Sequence, residues 1–530
     1  MSGNGRDYDL VIIGGGINGA GIARDAAMRG LSVLLLEQND FASGTTSWSS
    51  RLIHGGLRYL EYGELPLVHE SLHERRNLLK IAPHLVDRLA ISIPVYRYSR
   101  RGKWTLRLGM LAYDLLSIGK DLPRHRMLSR EAFLEHAPGV NPDHLLGGAR
   151  YYDAQVTFAE RLVIENIVAA REHGADVRNY SPVTGIRVRD RRVDFVEYRD
   201  LATGVELTAR APVVVNAAGP WVDRVLDAAD AKLPRLMGGT KGSHVVVGRF
   251  EGAPEVAFYV EAAADGRPIF ITPWNGQFLI GTTDIRYDGD PADAVPSRAE
   301  VQYLLSETNR IFPAADLSFD SLHYAYAGIR PLPRHEKGPE SAITRRHIIR
   351  RHSVEARGLV SIIGGKLTTY RHLSQQVCDQ VFRMLGRRAP SCRTGSTQLP
   401  GGEGLESAQA ELGRAGGLST TGRERLLGIY GGRARRILDL AGSQPGLGGM
   451  LDDSGSVPAA EVAFCIRHEF ARHLVDVMHR RTMLGLAADL GRSKAAAVAD
   501  VAAAELGWDE EEKARQLRTL EAYNARLQTL

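Results

Sequence analysis

Hydrophobic positions in the first forty residues fall into two runs, 10–13 and 33–36, the second opened by Ser32 as a strand over 32–36, with a helical pattern over 17–29 between them. Runs of that length without polar interruption suit strands buried on both faces of a parallel sheet. Farther on, 70–82 and 159–173 carry helical periodicity and 88–96 reads as a strand. The segments 175–180, 184–190, 191–200 and 205–219 read as strands joined by short turns. Asn275-Gly276, between two apolar runs, is the strongest hairpin signal in the chain. Residues 358–385 repeat the opening order of strand, glycine pair and helix. The composition of 386–404 is that of a linker. Beyond it, 405–530 is rich in Ala, Leu, Arg and Glu, helical by propensity, with one loop at 442–458.

The turn between the first two runs is Gly14-x-Gly16-x-x-Gly19. Gly14 permits the tight turn, Gly16 lets the backbone approach a pyrophosphate, and Gly19 lets the helix pack close to the strand. The helix N-terminus offers unpaired N–H groups to phosphates. Glu37 closes the second strand, where its carboxylate accepts from a ribose diol and disfavours a 2′-phosphate. Strand, helix and acid together make this a dinucleotide site. The chain then runs into 39–56, rich in Ser, Thr and Gly, including Thr45 and Ser49. Such a segment wraps a large, permanently bound cofactor with hydroxyl and backbone donors, which favours FAD over NAD. The second glycine turn is no Walker loop: Val360 stands where the first glycine belongs, and Leu367 follows Lys366 in place of Ser or Thr. Its helix N-terminus still aims positive charge out of the sheet, which suits a reduced flavin.

At 530 residues the chain is long enough for two to four domains. The 67 basic against 62 acidic residues give a net charge of +5, too mild for a nucleic-acid binder and compatible with an anionic substrate or membrane surface. Cys378, Cys392 and Cys465 make no CxxC pair or zinc spacing, so no metal site is expected and the chain reads as a reduced, intracellular protein. No signal peptide and no run of about 20 apolar residues is visible. Residues 98–120 set Arg100, Arg101, Lys103 and Arg107 beside Trp104, Leu106, Leu108, Met110 and Leu111. That pattern suits a helix lying on anionic lipid, or equally one packed on the protein's own core.

The ordered motifs 9–37, SSRLIHGGLRYLE (49–61), NAAGPW, KGSHVVV, IGTTD, GIRPL, AITR and GGKLTTYR resemble the FAD-dependent, quinone-linked glycerol-3-phosphate dehydrogenases. LPGG and 478–486 extend the likeness toward the C-terminus. The resemblance implies an α/β fold with a Rossmann-like FAD-binding domain of the D-amino-acid-oxidase/glutathione-reductase type, a β-rich (α+β) substrate domain and a C-terminal helical domain. The expected division is a discontinuous FAD-dependent region over 1–388 with substrate-domain insertions near 60–150 and 235–340, a linker at 389–404, and a helical cap at 405–530.

The resemblance also implies oxidation of sn-glycerol 3-phosphate to dihydroxyacetone phosphate by a peripheral protein on the cytoplasmic face of the inner membrane. Arg58, Tyr59, Arg330 and Arg345 are then expected to hold the substrate, since an arginine fork meets phosphate oxygens bidentately. His54, His244, Arg330 and Lys366 form the expected catalytic set. Either histidine is a candidate proton acceptor, and Lys366 would stabilise developing negative charge. The cofactor set is Gly14, Gly16, Gly19, Glu37, Thr45, Ser49, Gly219, Gly365, Lys366, Leu367 and Thr368. Glu61 and Tyr62 read as structural. Competing readings are a glycerol-3-phosphate oxidase using dioxygen, an amine or amino-acid oxidase, and a non-catalytic flavin-bearing membrane sensor or scaffold. The oxidases tend to carry an insertion before the final glycine turn, whereas only about 20 residues separate AITR from GGKL here. The sequence leaves a homodimer open.

Overall fold

The structure, a computed structural model, describes residues 6–61, 63–117, 122–334 and 345–529. Tyr62 lies outside the described residues. A six-stranded sheet has the order Ile348–Arg351, Leu359–Ile363, Val213–Asn216, Leu10–Ile13, Val33–Leu36, Asp176–Arg178. Every neighbouring pair is parallel except the first. Its central strands come from three distant parts of the chain, so the sheet closes only after residue 359.

The opening apolar run is buried on both faces. Leu10 and Ile12 join a core with the helices Ile17–Met28, Ala159–Glu172 and Tyr370–Met384. Val11 and Ile13 point the other way, into a core shared with a four-stranded sheet around Arg192–Arg199. Period-two side-chain alternation makes both faces apolar, which is why no polar residue interrupts the run.

A larger, ten-stranded mixed sheet is built from 52–53, 86–96, 126–156 and 240–330. Trp274 and Gln277 pair across the Asn275-Gly276 turn, whose two residues both have positive φ. The helix Arg298–Ile311, begun by a Ser297/Glu300 capping box, covers one face.

Helices from Leu405–Arg414 to Glu510–Gln528 form the C-terminal domain, whose core takes in Trp274, Tyr324 and Tyr326 of the large sheet. Buried ion pairs fasten it to the nucleotide-binding half: Arg480 and Arg481 both reach Asp40, and Arg161 meets Glu469 through two bonds of 2.6 and 2.7 Å. The stretch 386–404, with the composition of a linker, is exposed over 386–391 and returns to the first core at Leu399. Leu399 is fully buried, its N–H donates to Ile81 O at 2.7 Å, and Arg24 donates to Thr397 O at 2.8 Å. One apolar anchor, Leu399, and partners for the backbone hold it there, too little for composition to show.

Candidate active site

The Gly14 turn, the 37–49 segment and the 364–367 turn converge on a cavity of about 670 Å³. Gly14 has φ +110°, and a Cβ there would stand 2.7 Å from Ala217 O. A Cβ on Gly19 would stand 1.9 Å from Gly14 O, so the helix sits as close as glycine allows. Gly16 faces open space, its nearest neighbour for an added Cβ being Thr46 Oγ1 at 3.5 Å. Gly15 N–H donates to Glu37 Oε2 at 2.6 Å and Asn39 N–H to Oε1 at 2.9 Å, so the carboxylate is held at the cavity wall. Each oxygen keeps a lone pair for a ribose hydroxyl. Buried Asn18 Oδ1 has no partner. A wall of bare backbone, a helix N-terminus, a fixed carboxylate and an unsatisfied amide oxygen fit a dinucleotide cofactor.

A second cavity of about 510 Å³ shares Thr45, Ser49, Pro331, Gly365, Lys366 and Leu367 with the first. His54, Arg58, Tyr59, Arg330, Arg345 and Thr368 line it. The segments that carry them lie up to 314 residues apart in sequence, as the 3.2 Å bond from His54 N–H to Thr368 Oγ1 shows. Gly55 N–H donates to Tyr113 OH at 3.0 Å, and that hydroxyl donates to Asp153, itself paired with Arg75. This buried network fixes the loop that presents His54. Burial first, then the cations Lys366 and Arg75, push the His54 pKa down to about 3, so its imidazole is neutral. Lys366 Nζ sits 4.2 Å from the Tyr59 ring centroid and donates to Ser71 Oγ at 3.1 Å. Arg330 donates to Asp284 at 3.0 Å, to Thr282 Oγ1 at 3.1 Å and to Thr283 O at 2.9 Å; Arg345 donates to the other Asp284 oxygen at 2.9 Å.

The two histidines are not equivalent. His244 is 2% exposed, stacks on Tyr326 at 4.9 Å between centroids, and lines neither cavity. It meets the second cavity only through Ser50, whose Oγ is 2.8 Å from Nε2. Burial, followed by Arg330 and Arg51, pushes its pKa down to about 3 as well. Gly219 lines the first cavity; Gly19 does not, and acts through helix packing. Glu61 pairs with Arg101 outside the cavities. Sequence reasoning missed Ser50, Asp284 and the Tyr113–Asp153–Arg75 network. IGTTD, the motif ending at Asp284, was the available signal, but nothing in it names the arginines that Asp284 meets.

The family profile described as FAD dependent oxidoreductase matches residues 9–371, and that described as the C-terminal domain of alpha-glycerophosphate oxidase matches 392–513. The chain is 44% identical to a glycerol-3-phosphate dehydrogenase of Synechocystis sp., over 97% of this chain and 96% of that protein. The chain belongs to the FAD-dependent glycerol-3-phosphate dehydrogenase family. It is therefore an oxidoreductase with FAD as its cofactor. A D-erythritol 1-phosphate dehydrogenase of Brucella abortus is 38% identical, over 89% of this chain and 94% of that protein. The structure of a Bacillus halodurans glycerol-3-phosphate dehydrogenase complexed with FAD superposes with a TM-score of 0.80 at 30% identity, covering 99% of this chain and 96% of that one.

Proposed function

We propose that this enzyme oxidises sn-glycerol 3-phosphate to dihydroxyacetone phosphate and passes the electrons to a membrane quinone. The observation that carries this reading is the second cavity, which Arg58, Arg330, Arg345 and Lys366 line together with a neutral imidazole, beside the dinucleotide wall. When bound, FAD supplies the hydride acceptor. Arg58, Arg330 and Arg345 grip the phosphate, each charge-assisted bond contributing about 1.5–3 kcal/mol, and Tyr59 completes the grip. His54 takes the carbinol proton. Its basicity is low in the free protein because burial first, and then the positive charge of Lys366 and Arg75, disfavours its protonated form. A phosphate dianion in the cavity offsets those cations and raises its pKa toward the working range. Lys366 stabilises negative charge on the carbinol oxygen as the proton leaves.

The quinone acceptor calls for a membrane surface, and the helix Lys103–Leu116 supplies a candidate. Its inner side buries Met110 and Tyr113, whereas Trp104 (76% exposed), Leu108, Leu111 and Leu115 form an outward stripe. Exposed Arg100, Lys103 and Arg107 border that stripe, so the surface matches an anionic bilayer on the cytoplasmic face of the inner membrane. No described helix is long and apolar enough to cross a membrane. The oxidase reading is favoured by one observation, the C-terminal profile named for alpha-glycerophosphate oxidase. The test is turnover of glycerol 3-phosphate with a soluble quinone analogue or with dioxygen alone. Dihydroxyacetone phosphate formation that depends on the quinone supports the dehydrogenase; stoichiometric peroxide in air supports the oxidase; no product with either rejects both.

A further inference from the structure

Inside the second cavity the Asp284 carboxylate accepts from two guanidinium groups and its backbone carbonyl from a third, which also pairs with Asp265 at 3.3 Å. Asp284 Oδ1 accepts from Arg330, at the end of the strand Leu322–Arg330. Asp284 Oδ2 accepts from Arg345, which leads toward the six-stranded sheet through Ile348–Arg351. Arg267 donates to the Asp284 carbonyl at 2.5 Å, and its Nη1 is 3.9 Å from Oδ2. A negative charge beside a phosphate subsite opposes the ligand, so its presence needs another explanation. Three guanidinium groups this close repel one another, and without a common counter-ion their flexible arms spread into solvent. Burial raises the Asp284 pKa, but Arg330 and Arg345 outweigh it and hold the carboxyl below the usual range, so it is charged at any working pH. Gly242 leaves the space in which Arg330 lies: a Cβ there would stand 2.3 Å from Nη2.

We propose that Asp284 is the positioning residue of the anion site, joining Arg330 of one sheet to Arg345 of the segment entering the other, so that their remaining donors converge on one phosphate. The proposal rests on the reading of this cavity as the phosphate site and names the group that assembles it. Asp284 acts through the arginines and touches no reacting atom. Asp284→Asn keeps the shape and removes the charge, so both arginines lose their shared anchor while the flavin wall stays intact.

The test compares the holoenzyme with Asp284→Asn and Asp284→Glu, measuring flavin content, KM and kcat for glycerol 3-phosphate, and inhibition by inorganic phosphate. Asp284→Asn is expected to raise KM about tenfold or more with kcat nearly unchanged, as loss of phosphate binding shared equally by substrate and transition state predicts. Inhibition by inorganic phosphate weakens in parallel, and Asp284→Glu, which keeps the charge, recovers part of both. A KM or phosphate inhibition in Asp284→Asn equal to or stronger than in the parent overturns the proposal. So does loss of flavin or of cooperative folding in that variant, which would assign Asp284 to the scaffold. If the parent itself does not turn over glycerol 3-phosphate, the functional reading fails instead, and binding of inorganic phosphate to parent and variant, read by perturbation of the flavin spectrum, still judges Asp284.

Discussion

The two cavities share a wall but are made of different material. The first has one wall of backbone: glycine turns, a helix N-terminus and the Glu37 carboxylate pinned by two amides. The second gathers charged side chains among tyrosines and threonines, brought from segments around 54–59, 267–284, 330–345 and 366. A backbone cradle tolerates little change in shape where an added carbon meets a carbonyl, as at Gly14 and Gly19. A charged cluster tolerates changes in shape and responds to changes in charge. Cofactor retention and substrate affinity are therefore expected to fail separately.

The largest separation comes from Gly14→Val, which places a side chain against Ala217 and forces a positive φ on a β-branched residue. The purified variant is expected to lack flavin absorbance altogether. Retention of full flavin would mean that the cradle is not where the cofactor binds. Next is Arg330→Ala. Removing a charge-assisted pair is expected to raise KM for glycerol 3-phosphate by about tenfold to a hundredfold, with flavin content unchanged. Glu37→Gln reverses that pattern: FAD affinity falls by about tenfold, measured by flavin release on dilution, while KM of the loaded enzyme is preserved.

The smallest and broadest effect is on stability against pH. His54 and His244, around the second cavity, have folded pKa values of about 3 against 6.5 for a free imidazole. Unfolding lets them take up protons, so their contribution holds above about 6.5 and is lost as pH falls toward 3. Asp40, at the first cavity, is raised by burial but held by Arg481 and Arg480 at about 2 against 3.8. Its contribution persists down to about 3.8 and is lost only as pH falls toward 2. Melting temperature followed by flavin release should therefore decline in two windows, the histidine window first. Replacing both histidines by Gln should shrink the upper window, to which buried His84 and His479 also contribute, and leave the lower one.

The same contrast explains what could be read in advance. The glycine fingerprint, its flanking strands and Glu37 are contiguous, because a backbone site is written in one βαβ unit. The arginines were found as motif members, yet their partner Asp284 sits 46 residues before Arg330 and 61 before Arg345. Coulombic pairing leaves no periodic trace over such distances. His54 and His244 were equal candidates in the sequence, since exposure to a cavity is decided by packing. Only the structure puts Ser50 and the Tyr326 ring around His244. In the helix Lys103–Leu116, apolar residues occur on two faces, and hydrophobicity does not say which face is covered. Tyr113 decides it, because its hydroxyl is committed to Asp153 and Gly55.

The most direct measurement is anaerobic titration of the purified holoenzyme with glycerol 3-phosphate and, separately, with glycerol. A cation cluster that grips a phosphate beside the flavin predicts bleaching by the ester at concentrations where glycerol leaves the spectrum unchanged. Equal bleaching by the two compounds, or bleaching by neither, would contradict it.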